Sequence, residues 1–179
     1  MDASPVAIRE LRRDGVELHA FGGQFAALHL AAAALGLALP AINRTSQAGD
    51  LTIIGVAPQG WLILAPQGDP CALAARLAPL AAHGALVETG HGVAFIEIAG
   101  GNARHVLAKG CRIDLHDRAF RAGDAARTVM AQIGVTLWRP DDRPAYNLAF
   151  PATFAASFSH FLLASAEETG ADILPPRED

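Results

Sequence analysis

Residues 105–120 read HVLAKGCRIDLHDRAF and gather the side-chain types that carry out most protein chemistry. They include the thiol of Cys111, the carboxylates of Asp114 and Asp117 and the imidazoles of His105 and His116. Arg112, Arg118 and the chain's only lysine, Lys109, fall in the same stretch, and Arg121 follows directly. A thiol near an imidazole is the material of covalent catalysis, and His with Asp is the material of a metal centre. Neither pattern is complete. Cys111 follows the C-terminal end of an expected helix, where the negative end of the helix dipole raises a thiol pKa. Asp114, His116 and Asp117 lack the i, i+4 pairing of two ligands on a helix, and no third ligand is adjacent. Gly110, Asp114 and Gly123 are turn formers. Arg112, Arg118, Arg121 and Arg127 have only Asp114, Asp117 and Asp124 close in sequence, so some of these guanidiniums are expected to face solvent or a partner's carboxylate. The stretch is therefore expected to be a polar elbow and partner-facing edge, with no catalytic, cofactor-binding or metal-ligating residue.

Other motifs lead to the same expectation. EIAGGNARHVL lacks the G-x-G-x-x-G spacing of a dinucleotide fingerprint. Gly22-Gly23 precedes a helix, but no Lys-Ser or Lys-Thr follows to make a phosphate loop. TGHGVA reads as a hairpin turn. None of Ser4, Ser46, Ser157, Ser159 and Ser165 lies in a G-x-S-x-G elbow. His19, His29, His91, His105 and His160 lie in or beside apolar stretches, where an imidazole is most often structural. Cys71 and Cys111 have no C-x-x-C spacing, so neither a disulfide scaffold nor a zinc knuckle is expected.

The elements that position these residues follow from periodicity and punctuation. VELHAF (16–21) reads as a strand, and 24–36 as an Ala/Leu helix closed at Gly36 with Pro40 beyond. Residues 43–50 read as a loop, and LTIIGVA and WLILA as a hairpin. Asp69 is expected to cap a helix over 70–82, with Pro70 at its first position and Pro79 ending or bending it. ALVETG and VAFIEIAG read as a strand pair around Gly90-His91-Gly92, and 102–109 as a helix closed by Gly110. RTVMAQIGVTLW reads as two strands around Ile133-Gly134, with Ile133, Val135 and Leu137 on one face. PAYNLAFP reads as a further strand. A last helix over 152–168 has Phe154, Phe158, Phe161, Leu162 and Leu163 as its expected buried stripe. The N-terminal residues read as polar and turn-prone, and 171–179 as a polar tail. Hairpins interrupted by single helices give an α+β class, with antiparallel sheets covered on one face. The expected layout is two split β-α-β, ferredoxin-like lobes, at about 15–90 and 91–170.

The chain has 179 residues, half of them hydrophobic, and a net charge of −4. That length is enough for one compact domain or two lobes. The charge gives no basic field for nucleic acid. FAALHLAAAALGLALP is the longest apolar run, broken by His29, Gly36 and Pro40 and too short to span a bilayer. No charged n-region followed by an apolar h-region opens the chain. A soluble, cytoplasmic protein that binds neither membrane nor nucleic acid is expected.

LGLALP, AGDLTIIGVAPQGWLILAP, HVLAKGCRIDL, HDRAFRAGDAARTVMAQIGVTLWR and FAASFSHFL, in this order, resemble the gamma subunit family of heterotetrameric sarcosine oxidase. The run Lys109-Gly110-Cys111-Arg112-Ile113-Asp114-Leu115-His116 is the most specific part. The wider group is the aminomethyltransferase-like, folate-binding fold of the glycine cleavage T-protein, which agrees with the two split lobes. The resemblance implies a non-catalytic small subunit of a bacterial complex that oxidises sarcosine to glycine, formaldehyde and hydrogen peroxide, with tetrahydrofolate able to accept the one-carbon unit. It places FAD, FMN, NAD, zinc and folate in other subunits, and large flavoprotein subunits, alpha foremost, as partners. A departure falls at His116-Asp117, where the family often has His-Pro. Folate-dependent proteins of iron–sulfur assembly share the fold and a Lys-Gly-Cys motif, but there an aromatic residue and Gly-Gln follow, not Arg112-Ile113-Asp114. A subunit of a related N-methyl amino acid dehydrogenase, or a free-standing folate-binding protein, are the alternatives.

Overall fold

In the computed structural model, which describes residues 4–177, the strands form two sheets. The hairpin of β4 (Leu51–Ala57) and β5 (Gly60–Pro66) lies where the two apolar runs place it, and it pairs antiparallel with β2 (Arg13–Ala20). β6 (Gly84–Glu88) lies on the other side of β2, and the short β3 (Thr45–Ala48) is the edge beyond β4. β2, α1 (Phe25–Ala34), β4, β5, α2 (Pro70–Leu77) and β6 thus make one split β-α-β unit over Arg12–Gly90. Leu28 and Ala32 of α1 and Leu73 and Leu77 of α2 pack on Val16, Leu18, Ile53 and Ile63. Ile54, Leu62 and Leu64 are buried as well. Burial on both faces is why β4 and β5 read as unbroken apolar runs and not as an alternation.

The helix ends obey local chemistry. The Asp69 carboxylate accepts from the Cys71 N–H at 3.0 Å, capping α2 as expected. α2 stops at Leu77, and a 3₁₀ turn over Ala78–Ala82 carries Pro79. At the end of α1, Gly36 takes φ of 74° and donates to the Ala33 carbonyl, while Leu37 donates to that of Ala32. This is a full Schellman ending, which Gly alone enters without strain. Beyond it Trp61 Nε1 donates to the Pro40 carbonyl at 2.8 Å, and a Cβ on Gly55 would collide with the Ala41 carbonyl. The exit of α1 is therefore pressed against β4 and β5. Among the described residues, no helix is long and apolar enough to cross a membrane.

The second unit repeats the plan with β7 (Val93–Ala99), α3 (Ala103–Ala108), β9 (Ile133–Trp138), β10 (Ala145–Pro151), α4 (Ala155–Ser165) and β11 (Ala171–Arg177). β8 (Ala125–Met130) lies outside β9, and the N-terminal β1 (Val6–Leu11) is inserted between β11 and β7. Val106 and Leu107 of α3 and Phe158 and Leu162 of α4 pack on Ile98, Val135, Leu137 and Leu148.

Several expectations need correction here. β1 and β11 are strands where a turn-prone start and a polar tail were expected, and they pair in parallel, so this sheet is mixed and not purely antiparallel. Two prolines are tolerated in β11 because it is an edge strand. Residues 178 and 179 of the expected tail lie outside the described residues. β6 and β7 do not pair. Gly90–Gly92 is a 3₁₀ turn leading from one sheet to the other. The β8–β9 turn is at Ala131 and Gln132, not at Ile133-Gly134, and both residues have positive φ, 48° and 66°. A two-residue turn of that kind normally carries Asn or Gly, so its position is not visible from residue type. On α4, Phe158 and Leu162 are buried but Leu163 is exposed, and Phe154 is exposed in the 3₁₀ turn Ala152–Phe154 that precedes the helix.

Candidate functional site

α3 delivers the polar elbow, and its own anchoring comes first. Asn102, buried before the helix, donates from Nδ2 to the Ser4 carbonyl at 3.0 Å. Ala103, Val106 and Leu107 form the buried stripe. Gly110 follows the helix, and a Cβ there would lie 2.5 Å from the Phe161 ring. Close approach of α4, and not any ligand loop, explains this glycine. Lys109 Nζ donates to the Ser165 carbonyl at 2.7 Å and pairs with Glu168 at 3.2 Å. It thereby satisfies an end carbonyl of α4 with a cation at the negative helix terminus. The Lys109 bond holds the Glu168 carboxyl below its ordinary range.

Beyond Gly110 each reactive residue type has a conformational task. Cys111 donates its N–H to the Leu107 carbonyl and forms an isolated bridge with Met130. Its thiol is pushed up, as expected, but chiefly by burial, against a smaller downward pull from the Ile113 and Arg112 backbone. Asp114 accepts from the His116 N–H at 2.8 Å, and His116 Nδ1 accepts from the Arg118 N–H at 3.2 Å. Both are side chains turning their own backbone. The His116 carbonyl then takes the N–H groups of Ala119 and Phe120.

Three residues outside the motif hold the elbow, and residue-by-residue reasoning overlooks them. Arg139, at the exit of β9 and only 7% exposed, donates to Asp117 Oδ1 at 2.7 Å and to the Phe120 carbonyl at 3.1 Å. It also donates to the carbonyls of Asp141 and Asp142. Arg104 reaches the other oxygen of Asp117 at 3.1 Å. The Arg139 hydrogen bond, with the charges of Arg139 and Arg104, keeps the Asp117 carboxyl below its usual range. Tyr146 on β10 donates its hydroxyl to the Leu115 carbonyl at 3.3 Å and stacks on Phe120, and burial pushes its phenol up. A guanidinium closing an apolar strand, as in TLWRP, is the signal that could have marked Arg139, because a buried cation needs partners.

Between the start of α3 and the elbow lies an open cleft of about 530 Å³, lined among others by Asn102, Arg104, His105, Asp114 and His116. Among the described residues, no group of three or more His, Cys, Asp and Glu side chains is placed to hold a metal ion. Arg112, Arg118, Arg121 and Arg127 are all exposed, the last on edge strand β8. What the arrangement does chemically is fix a chain path and present guanidiniums outward.

Known proteins resemble this chain along nearly its whole length. A family model described as "Sarcosine oxidase, gamma subunit family" matches residues 19–168. Sarcosine oxidase subunit gamma of Corynebacterium sp. (strain P-1) is 32% identical over 172 residues, 93% of this chain and 82% of that one. The Arthrobacter sp. subunit gamma is 32% identical over 140 residues, 76% of this chain and 68% of its own. The solved heterotetrameric sarcosine oxidase from Corynebacterium sp. U-96, in complex with pyrrole 2-carboxylate, contains a chain that superposes with a TM-score of 0.80 at 27% identity. The match covers 96% of this chain and 91% of that one. The glycine cleavage system aminomethyltransferase T of Bartonella henselae shares the fold, with a TM-score of 0.70 at 15% identity, over 96% of this chain and 48% of that one.

Proposed function

Because this chain belongs to the sarcosine oxidase gamma subunit family, we propose that it is the small, non-catalytic subunit of a bacterial, cytoplasmic sarcosine oxidase. The reaction of that complex takes sarcosine, dioxygen and water to glycine, formaldehyde and hydrogen peroxide, with tetrahydrofolate as an acceptor for the one-carbon unit. FAD, FMN, NAD, zinc and folate are assigned to other subunits, and the large flavoprotein subunits, alpha foremost, are the partners. Arg112, Arg118, Arg121 and Arg127 are assigned to the partner-facing edge.

One observation carries the non-catalytic reading. The stretch richest in reactive residue types uses them to hold its own shape: Asp117 on Arg139, Lys109 on the end of α4, and Asp114 and His116 on their own turn. A general base or nucleophile needs a free lone pair aimed at substrate.

Co-expression of this chain with the large subunits tests the assignment. The expected result is a flavin-bearing complex that contains this chain in fixed proportion and forms hydrogen peroxide on sarcosine. A chain that elutes alone while the flavoprotein subunits assemble and turn over without it would refute the proposal.

A further inference from the structure

The run from Phe21 to Ile42 contains no Asp, Glu, Lys or Arg, and α1 lies at its centre. Only Leu28 and Ala32 of this helix are fully buried. On the outward side Ala26, Leu30, Ala33 and Ala34 are exposed, Leu30 at 74%. Phe21, Phe25, Leu35 and Ile42, at the two ends of the helix and on its exit, are each between 39% and 48% exposed. A helix on a solvent face ordinarily carries charges there, and one that is apolar on every side belongs in an interior. We infer that the outward face of α1 is the seat of a larger subunit of the oxidase complex, taken into an apolar groove of that subunit that is free of charged side chains.

This inference rests on the subunit assignment above and names the surface that serves it. The five large side chains and the alanines between them expose a patch of a few hundred Å², on the order of half of the ~800 Å² that each partner gives to a stable interface. The alanines allow close approach, and Leu30 projects as the anchor, as in helix-in-groove recognition. The face is ordered before anything binds. The Schellman ending, the Trp61 bond to the Pro40 carbonyl and the Phe25–His29–Trp61 ring cluster hold α1 and its exit. Such preorganisation lowers the entropic cost of association.

Two other occupants fit less well. A lipid surface calls for several Lys and Arg along the borders of the apolar face; the run itself has none, and Arg44, two residues past Ile42, is a single cation at one end. A second copy is disfavoured by the kind of assembly proposed. A heterotetramer with a chain lettered gamma holds at least three kinds of subunit in four places, so most neighbours of this chain are unlike it.

The test is co-expression of the full chain, wild type or Leu30→Asp, with the large subunits, followed by gel filtration. Leu30→Asp is expected to lower the fraction of this chain recovered in the complex at least tenfold. Gln67→Asp, on the exposed loop before α2, should assemble like wild type. Amide hydrogen exchange of the wild-type chain, alone and in complex, answers the same question without a variant. Exchange over α1 and its exit to Ile42 should slow more than tenfold on assembly, and this measurement decides if Leu30→Asp fails to fold. A Leu30→Asp chain that assembles normally, or unchanged α1 exchange, overturns the inference and leaves the subunit assignment standing. So does a variant that abolishes only self-association. A wild-type chain that does not enter the complex overturns both.

Discussion

The elbow after α3 and the helix α1 are opposite solutions to placing side chains at a surface. In the elbow a charged or polar residue recurs at almost every second position, yet Asp117, Lys109, Asp114 and His116 are bound to groups of the same unit. In α1 no charge is present, and half of the helix is left uncovered. Density of reactive types is therefore a poor guide to how many of them are left for a ligand: in the elbow these four are engaged within the unit, and the exposed arginines are what it presents outward. Polar groups close to a core must be partnered, and the cheapest partners are local. An apolar face that nothing covers lacks that internal outlet, and only another surface can satisfy it.

Arg139 gives the largest test of this contrast. Arg139→Met keeps the length of the stem but removes the donors that hold Asp117 and the Phe120, Asp141 and Asp142 carbonyls. The expected loss is about 3 kcal/mol, from leaving several acceptors without donors. For a chain of this size it corresponds to a fall in Tm of about 6–12 °C, read by thermal unfolding. A loss within about 0.5 kcal/mol would mean that the elbow holds its shape without Arg139.

An intermediate effect belongs to the outward arginines. Arg118→Glu with Arg121→Glu should leave the isolated chain as stable as wild type. It should slow assembly with the large subunits about tenfold at low salt, and the difference should fade as salt screens it. Leu30→Asp, in contrast, should speed dissociation at any salt concentration. If the double variant unfolds on its own, these arginines belong to the fold and not to an interface.

The smallest effect concerns acid stability. The Asp117 carboxyl lies below its ordinary pKa in the folded chain because of Arg139 and Arg104. Its contribution is therefore fully present above the unfolded value, near pH 4, and disappears as the pH falls through the lowered folded value. The carboxylate is largely exposed, so this amounts to less than about 1 kcal/mol. Asp117→Asn should be slightly less stable than wild type at pH 7, and the gap should close in acid. A gap that widens in acid would contradict the pairing.

The elements made of local signals were legible in the sequence. The β4–β5 hairpin, the Asp69 cap and the Gly36 ending each depend on a few adjacent residues, and each stands where expected. What escaped depends on partners far along the chain. VAIREL becomes a strand because β7 and β11 flank it. VAFIEIA looks like the mate of the strand before it, but pairs instead with β1 and β10. Glu97 is buried at the centre of that strand beside Arg9 and Arg177, an arrangement that no spacing announces. At the elbow the residue types pointed to turns and exposed arginines, whereas Arg139 and Tyr146 reach it from strands 22 and 31 residues away from the groups they hold. The outward face of α1 escaped for another reason. Its composition is that of an ordinary core helix, and only the fold reveals which half is left open.

The central claim is that this chain assembles a catalyst without supplying catalytic groups, and the most direct test is turnover of the complete complex with an altered elbow. Cys111→Ala, Asp114→Asn and His116→Ala, each purified in complex and normalised to bound flavin, are expected to keep sarcosine turnover within a few-fold of wild type, even where the yield of complex falls. A group acting as acid, base or nucleophile in the transition state contributes about 10² to 10⁴ in rate. A loss of a hundredfold or more at full flavin occupancy, above all for Cys111→Ala, would place the elbow in the chemistry and contradict the account.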